Sequence, residues 1–484
     1  MKAERSAFFI FEQLKILSFI HRYYSIDLRA LGLIRIGLAI VCLLDLSFRF
    51  TDISALYSDE GLWPTKVMYN LAWQPGFWSL HALNSSANWS LILFVLHTIA
   101  ALFLLVGFRT RWSTLLVLVL YISLHNRNLF VLQAGDDLLR LTLFWGLFLN
   151  WGSAYSVDSK RSGVVYTSHV LAGFAYLMLI ASVYFFTALL KDDKEWHGDG
   201  TALYYALSLE QMRLPFGELI YPQTTVLNVL THGVYYLELT LPFLILWPSQ
   251  KGYVRLIAFV LIFVLHISIG LCLYVGLFFL ISIVTALGLI PAPVIDKLES
   301  RFVFLKQTPL KLNLGIQLNI KHVLIACFVL LCLLINFSSL SWFPYQLGKE
   351  LRFTTNALRL NQYWGMFSPG ILKKDGWMVY HGYDSLGRQW DLRRNADYVD
   401  YSKPKHIVSM YKSDRWRKLA ENMQNEKFTF LRHLYASHYL KRWNREHPEK
   451  PIKTLYLYFM EQETLPDYHK TPVNKLLYAI STAP

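Results

Sequence analysis

Charge is what this sequence has least of. Only 17% of its 484 residues are Asp, Glu, Lys or Arg, against roughly a quarter in a soluble globular chain. The deficit is uneven. Residues 31–338 hold long apolar runs, and residues 339–484 have the mixed composition of a water-facing domain. Cysteine is scarce too. The four cysteines, Cys42, Cys272, Cys327 and Cys332, all fall in apolar runs. This excludes a disulfide framework in the water-facing part, a CxxC redox pair and a zinc set, and leaves small buried side chains as their ordinary role. No HExxH, GxSxG, P-loop or GxGxxG signature occurs in a suitable context, and there is no tandem repeat or low-complexity tract. With no zinc finger or arginine-rich tract, the net charge of +14 points to Lys and Arg beside anionic lipid rather than to nucleic acid. No metal site is expected.

What is present is apolar. Nine stretches stand out: Leu31–Phe48, Trp89–Phe108, Trp112–Leu124, Leu138–Trp151, Val164–Leu190, Val226–Trp247, Val254–Leu273, Val275–Ile290 and Val323–Phe337. Several are shorter than the roughly 20 residues of a straight membrane span, the third and eighth most clearly. Trp89, Trp112, Trp151 and Trp247 sit at stretch ends, as interfacial anchors do. The sequence therefore predicts a mainly α, polytopic transmembrane helical bundle of about nine spans. Residues 1–338 form the membrane domain. Within residues 1–28, Ala7–Ile20 is broken by Glu12, Gln13 and Lys15 and reads as an interfacial amphipathic helix rather than a cleaved signal.

Basic residues set an orientation. Lys2, Arg5, Lys15, Arg22 and Arg29 precede the first stretch. Arg109 and Arg111, Lys160 and Arg161, Lys251 and Arg255, and Lys297, Arg301, Lys306, Lys311 and Lys321 then occupy every second connection. By the positive-inside rule the N-terminus is cytoplasmic. Nine crossings would place residues 339–484 outside the cytoplasm, as an α+β domain. In it, Trp377–Tyr383 and Arg388–Leu392 flank the turn Asp384-Ser-Leu-Gly387, Arg415–Asn425 and Phe428–Arg445 have helical spacing, and Thr454–Met460 alternates like a strand. Asn84-Ser-Ser86 and Asn88-Trp-Ser90 are weak glycosylation-type triplets in an outside loop.

Charges at membrane depth are costly and mark candidate sites. Arg35 and Asp45 lie almost three turns apart near one face of the first stretch, and interhelical ion pairs would account for them equally well. The segment around His125-Asn-Arg-Asn128 and Gly135-Asp-Asp-Leu-Leu-Arg140 is the richest. Asp136 can cap the following helix, and Asp137 and Arg140 are spaced for an ion pair. His125, Asn126, Arg127 and Asn128 are left for proton handling or anion binding. Lys191 follows a long apolar run. A desolvated amine there would be a general base, and a snorkelling lysine paired with Asp192 or Asp193 is the plainer alternative. Single histidines at 97, 169, 232 and 266, with Glu238, complete the inventory.

Several of these motifs, with Leu31-Gly-Leu-Ile-Arg-Ile-Gly37, Asp45, Tyr57-Ser-Asp-Glu-Gly-Leu-Trp-Pro64 and Gln362-Tyr-Trp-Gly-Met-Phe-Ser-Pro369, resemble the HTTM (horizontally transferred transmembrane) domain proteins. The resemblance covers nearly the whole chain, including Arg415-Trp-Arg417 and Lys441-Arg-Trp-Asn444. That group includes the vitamin K-dependent γ-glutamyl carboxylase, a lyase-type enzyme. The resemblance implies a chemistry in which a lysine deprotonates a reduced quinone, oxygen is consumed, and a peptide glutamate loses its γ-proton and takes up carbon dioxide. On it, Lys191 is the base. Asn126 matches the family's Asn, Arg127 stands where its His would be, and His125 is the nearby imidazole. Tyr363, Trp364, Met366, Phe367 and Trp377 match the region that receives the glutamate. Arg35, Asp45, Asp136, Asp137 and Arg140 are structural or quinone-site polar groups.

The implied cosubstrate is reduced vitamin K or a menaquinol-type quinone. The implied partners are the lipid bilayer, that quinone and a glutamyl peptide or protein, and the implied location is a bacterial cytoplasmic membrane. Three departures qualify the match: the displaced His, the lack of cysteines for the carboxylase's disulfide, and a shorter C-terminal domain. Two other readings are therefore weighed. One is a non-carboxylating reaction of a quinone or lipid on the same scaffold. The other is a non-enzymatic transporter or assembly partner, against which the lack of an internal repeat weighs.

Overall fold

The computed structural model describes residues 15–16, 18–162, 166–167, 170–301, 312–313, 320–466 and 468–483. Most of the surface helix expected before residue 20, the start of the fifth apolar stretch, His169, and Lys2, Arg5, Lys306 and Lys311 lie outside these residues.

Every apolar stretch contains a helix: α1 (Leu28–Phe50), α2 (Ala87–Val106), α3 (Thr110–Arg127), α4 (Ala134–Gly146), α5 (Val170–Leu190), α6 (Thr224–Ile245), α7 (Tyr253–Cys272), α8 (Phe278–Ala286) and α9 (Ile320–Phe337). Their ends are chemically specified. Asp27 accepts from the amide of Arg29 (2.8 Å) and caps α1. Ser86 does the same for Trp89 at the start of α2. Gly107, at φ +68°, closes α2 in the left-handed conformation, where a Cβ would also strike Ser156. Asp136 accepts from the amide of Gln133 (2.8 Å) and caps α4, as its position suggested.

Five of these helices, α1, α2, α5, α7 and α9, are long and apolar enough to cross a membrane. A sixth candidate is the pair Phe278–Leu289 and Ala292–Arg301, bent by 103°. The other stretches give helices that are shorter or more polar. The reason lies in what surrounds them. Helix α2 exposes Ile92, Leu96, Phe103 and Val106, and α9 exposes Val323 and Leu330, so these faces need apolar side chains all along. Helices α3 and α4 are buried over most of their length, and a helix wrapped in protein can carry polar groups that lipid would exclude.

The helices run between two ends. At the first end Arg29 pairs with Asp296 and Glu299, Arg255 donates to the carbonyls of Tyr23 and Ser25, and Asp158 accepts from the amides of Arg109 and Thr110. Among the described residues the basic connections thus collect on one side. At the second end lie residues 51–85, 127–136, 191–223 and 273–277, and onto this end the C-terminal region folds.

That region is α+β. Helix α10 (Lys349–Leu358) precedes a four-stranded antiparallel sheet of β1 (Lys374–Asp384), β2 (Gln389–Asp391), β3 (Ile452–Glu463) and β4 (Asn474–Thr482), in the order β2-β1-β3-β4. The expected hairpin is present, with Gly387 at φ +77° in its turn. Helices α11 (Asp414–Gln424) and α12 (Phe430–Glu446) fall where helical spacing placed them. Sequence reading missed α10 and β4. Helix α12 covers one face of the sheet, with the Tyr380 hydroxyl 2.8 Å from that of Tyr435. Helix α11 sits on the bundle. One hydrophobic core runs unbroken from Leu38 and Leu139 to Leu419, Met423 and Phe459.

Candidate functional site at the second end of the bundle

Lys191 is the first residue after α5. Its amine is 2.5 Å from Glu238 Oε2 and 3.9 Å from the centre of the Trp196 ring, and the residue is 3% exposed. The pairing with Asp192 or Asp193 does not occur. Asp193 instead accepts from the amide of Glu195 and caps the short helix Lys194–His197, and Glu238 approaches from α6. Burial lowers the Lys191 pKa from its ordinary value, and the Glu238 carboxylate opposes that shift. Two turns back along α5, the Tyr184 hydroxyl meets His266 Nε2 of α7 at 3.0 Å. His266 Nδ1 is buried without a hydrogen-bond partner.

The segment 363–371 lies over this corner. The Trp196 indole donates to the Phe367 carbonyl (2.9 Å), the Asp193 amide to that of Pro369 (3.3 Å), and the Ile371 amide to the Glu195 carboxylate (3.0 Å). Glu195 also pairs with Lys373 at 2.7 Å. Met366 and Phe367 pack on the cluster built from Trp196, Ala202 and Tyr205. Of the other residues expected here, Trp364 is fully buried with its indole on Gln362, and Tyr363 is half exposed. Trp377 is elsewhere, in the sheet core with Val379, Ile407 and Met460.

The 125–128 cluster faces a different set of partners. Arg140 lies 3.0 Å from His125 Nδ1. A guanidinium can only donate, so Nδ1 accepts and a neutral His125 carries its proton on Nε2. That Nε2 lies 3.4 Å from Asp136, outside hydrogen-bond geometry. Asn126 donates to the Trp78 carbonyl (2.8 Å), Arg127 to the Trp63 carbonyl (2.7 Å) and Asp59 (3.1 Å), and Asn128 to the Leu56 carbonyl (3.0 Å). These side chains tie α3 to the loop between α1 and α2.

The first-helix charges separate. Arg35 donates to the carbonyls of Leu104, Leu105, Trp151 and Tyr155. It satisfies the C-terminal end of α2 and has no bond to Asp45. Asp45, further along α1, belongs to a buried set with Asp136, Arg49, Arg415 and Tyr57. Arg415 reaches Asp45 at 2.8 Å and Asp136 at 2.5 Å, and Arg49 reaches them at 2.8 and 2.7 Å. Two carboxylates and two guanidiniums balance, as burial requires. Arg49 was not singled out from sequence, and Arg415 entered there only within the Arg415-Trp-Arg417 motif, with no role assigned. The four-residue spacing of Arg49 from Asp45 could have flagged the first, and nothing local flags the second.

Arg140 joins the two areas. Besides His125 and Asp137 (2.8 Å) it holds the carbonyls of Arg359 (2.7 Å) and Asn361 (3.2 Å). The chain from Asn361 to Ile371 therefore starts on the His125–Arg140 cluster and ends over Lys191. Among the described residues, no group of three His, Cys, Asp or Glu side chains is placed to hold a metal ion.

The family model of the HTTM domain matches residues 23–291, more than half of the chain. The chain belongs to the HTTM domain family. No curated protein and no solved structure matches it. The HTTM match takes in Lys191, Glu238, the 125–128 cluster, Asp45 and Asp136. Residues 363–371 and Arg415, which close over these groups, come from beyond the matched part.

Proposed function

We propose that this HTTM protein is an integral membrane enzyme of the vitamin K-dependent γ-glutamyl carboxylase type, with Lys191 as its base. The observation that carries the reading is the amine itself: a buried lysine at the end of a membrane helix, held by one carboxylate and one indole face and roofed by a loop. A reduced quinone would supply, with oxygen, the basicity that a side chain lacks for removing a γ-proton. The donor set suits such a molecule, since an amine and a Tyr–His pair, whose imidazole keeps its other nitrogen unpartnered, lie along one apolar corner.

Lys191 Nζ accepts a hydroxyl proton there. Glu238 orients the amine and shares the proton it gains. The Trp196 face stabilises the resulting ammonium and keeps water from it. A glutamyl peptide approaches from the second end, against Met366 and Phe367. In this reading all nine helices cross the membrane, because their connections alternate between the two ends. The basic end and the N-terminus are cytoplasmic. Residues 339–484 form an extracytoplasmic domain on a bacterial cytoplasmic membrane.

The test is uptake of labelled carbon dioxide into a glutamate peptide by the purified chain with reduced vitamin K or menaquinol. Wild-type uptake that disappears in Lys191→Ala supports the assignment, and equal uptake by the two removes it. A second reading, quinol or lipid chemistry without carboxylation, is favoured by Arg127, which stands at the family's His position and is spent on Trp63 and Asp59. Lys191-dependent quinol oxidation without carbon incorporation would select it.

A further inference from the structure

A polar cavity of about 240 Å³ opens at the second end, between the end of α9 and α10. Its lining is mostly polar and includes Gln74, Ser338, Ser339, Gln346, Arg352 and Asn361; the two serine hydroxyls donate to the carbonyls of Leu334 and Asn336, which leaves their oxygens as acceptors, and Arg352 spends one nitrogen on the Leu347 carbonyl. Arg352 is the single charged side chain of that lining, and no carboxylate faces it. Thr355 and Asn356 are almost fully buried, so the floor is built rather than a crease between mobile side chains. Asn356 is held by donating to the Pro75 carbonyl (2.8 Å) and accepting from Asn361 (2.9 Å). Asn361 Oδ1 is buried without a hydrogen-bond partner. A lining of this kind suits a ligand with one negative charge and several hydroxyls.

The surroundings say where that ligand comes from. Helix α9 is the least enclosed of the five long apolar helices, with 17% of its most apolar window buried, and Leu330 and Val323 lie open on it. Trp342, Tyr345 and Phe353, which flank the lining residues in the chain, are 62%, 48% and 55% exposed. Exposed aromatic rings at the end of an apolar helix mark the level of lipid headgroups. An acyl chain can lie on α9 while its headgroup enters the cavity.

We infer that this cavity is a binding site for the headgroup of an anionic, hydroxyl-bearing phospholipid of the phosphatidylglycerol class, with Arg352 on the phosphate and the amides and serines on the glycerol hydroxyls. One guanidinium matches one phosphodiester charge. The site lies outside the Lys191 corner and does not depend on the reaction proposed there.

The full chain is reconstituted in nanodiscs of mixed phosphatidylglycerol and phosphatidylcholine, stripped of loose lipid, and weighed by native mass spectrometry. The expected result is one retained phosphatidylglycerol per chain in preference to phosphatidylcholine. Retention falls about tenfold in Arg352→Gln, the loss of one charge-assisted hydrogen bond, and also falls in Ser339→Leu, which fills the cavity. Arg393→Gln, an exposed position on another face, retains the lipid. Arg352 is itself exposed, so its variant keeps the wild-type melting temperature. Equal retention by wild type and Arg352→Gln, or of the two lipids, overturns the site. Displacement of the lipid by free glycerol phosphate at equal concentration overturns the lipid assignment in favour of a soluble phosphate ester.

Discussion

Arg415 of the C-terminal region bonds to Asp136 at the start of α4, through both of its terminal nitrogens. The same guanidinium reaches Asp45 of α1 and the Val131 carbonyl. One side chain therefore locks helix α11 onto two helices of the bundle. Removing it leaves two buried carboxylates facing Arg49 alone.

Arg415→Ala is expected to destabilise the chain by on the order of 3–5 kcal/mol, the range for breaking a buried ion pair from one side. Thermal unfolding in detergent measures this. Arg442→Ala, whose ion pair with Glu446 is open to solvent on both sides, changes the midpoint little.

Glu238→Gln separates the roles of base and orienting group. Without the carboxylate, burial alone acts on Lys191, so its pKa falls further. An activity that needs the neutral amine rises with pH through that pKa, so its acid limb moves to lower pH in the variant. The pH dependence of quinol oxidation reads the shift. An unmoved limb would separate Lys191 from the proton step.

Trp196→Phe keeps a ring near the amine but removes the donor to the Phe367 carbonyl. A loss of about 1 kcal/mol is expected for the hydrogen bond. It should appear as faster protease cleavage within 363–371 and a raised KM for peptide, with a smaller effect on kcat.

Asp375 gives the fold a pH dependence of its own. Burial pushes its carboxyl up to about 6, against the pull of Lys470. Its Oδ2 accepts from the Glu210 amide, and Oδ1 has no partner. The folded state holds this proton more tightly than the unfolded chain, whose aspartates titrate near about 3.9. Stability therefore falls as pH rises from about 4 to about 6, by roughly 2–3 kcal/mol, and stays reduced above that. Asp375→Asn should abolish that slope in melting temperature.

The polar residues were legible to different degrees. Local patterns sufficed for the Asp136 cap and the Asp137–Arg140 pair, because both are completed within one turn of helix. They also sufficed for the hairpin at Gly387. They did not suffice for Lys191, whose near neighbours Asp192 and Asp193 looked like its partners. The chosen partner, Glu238, comes from another helix. Strand β4 and helix α10 were missed. The first is an edge strand half open to solvent. The second is a short helix that exposes Leu351, Phe353 and Leu358 while burying Thr355 and Asn356, so its apolar face does not mark its packed one.

By itself the sequence determined that this is a mainly helical membrane protein with a mixed C-terminal region, and that the basic connections alternate along the chain. Those properties follow from apolar length, spacing and charge, which are additive along the chain. Only the tertiary structure decided which charges neutralise one another. It turned Arg35 onto backbone carbonyls, spent Asn126 and Arg127 on the loop between α1 and α2, brought Arg415 to Asp45 and Asp136, and put Lys191 against Glu238. A buried charge is stable only beside its counter-charge, and in a bundle that neighbour stands on a different helix, at a distance in sequence that no local period encodes.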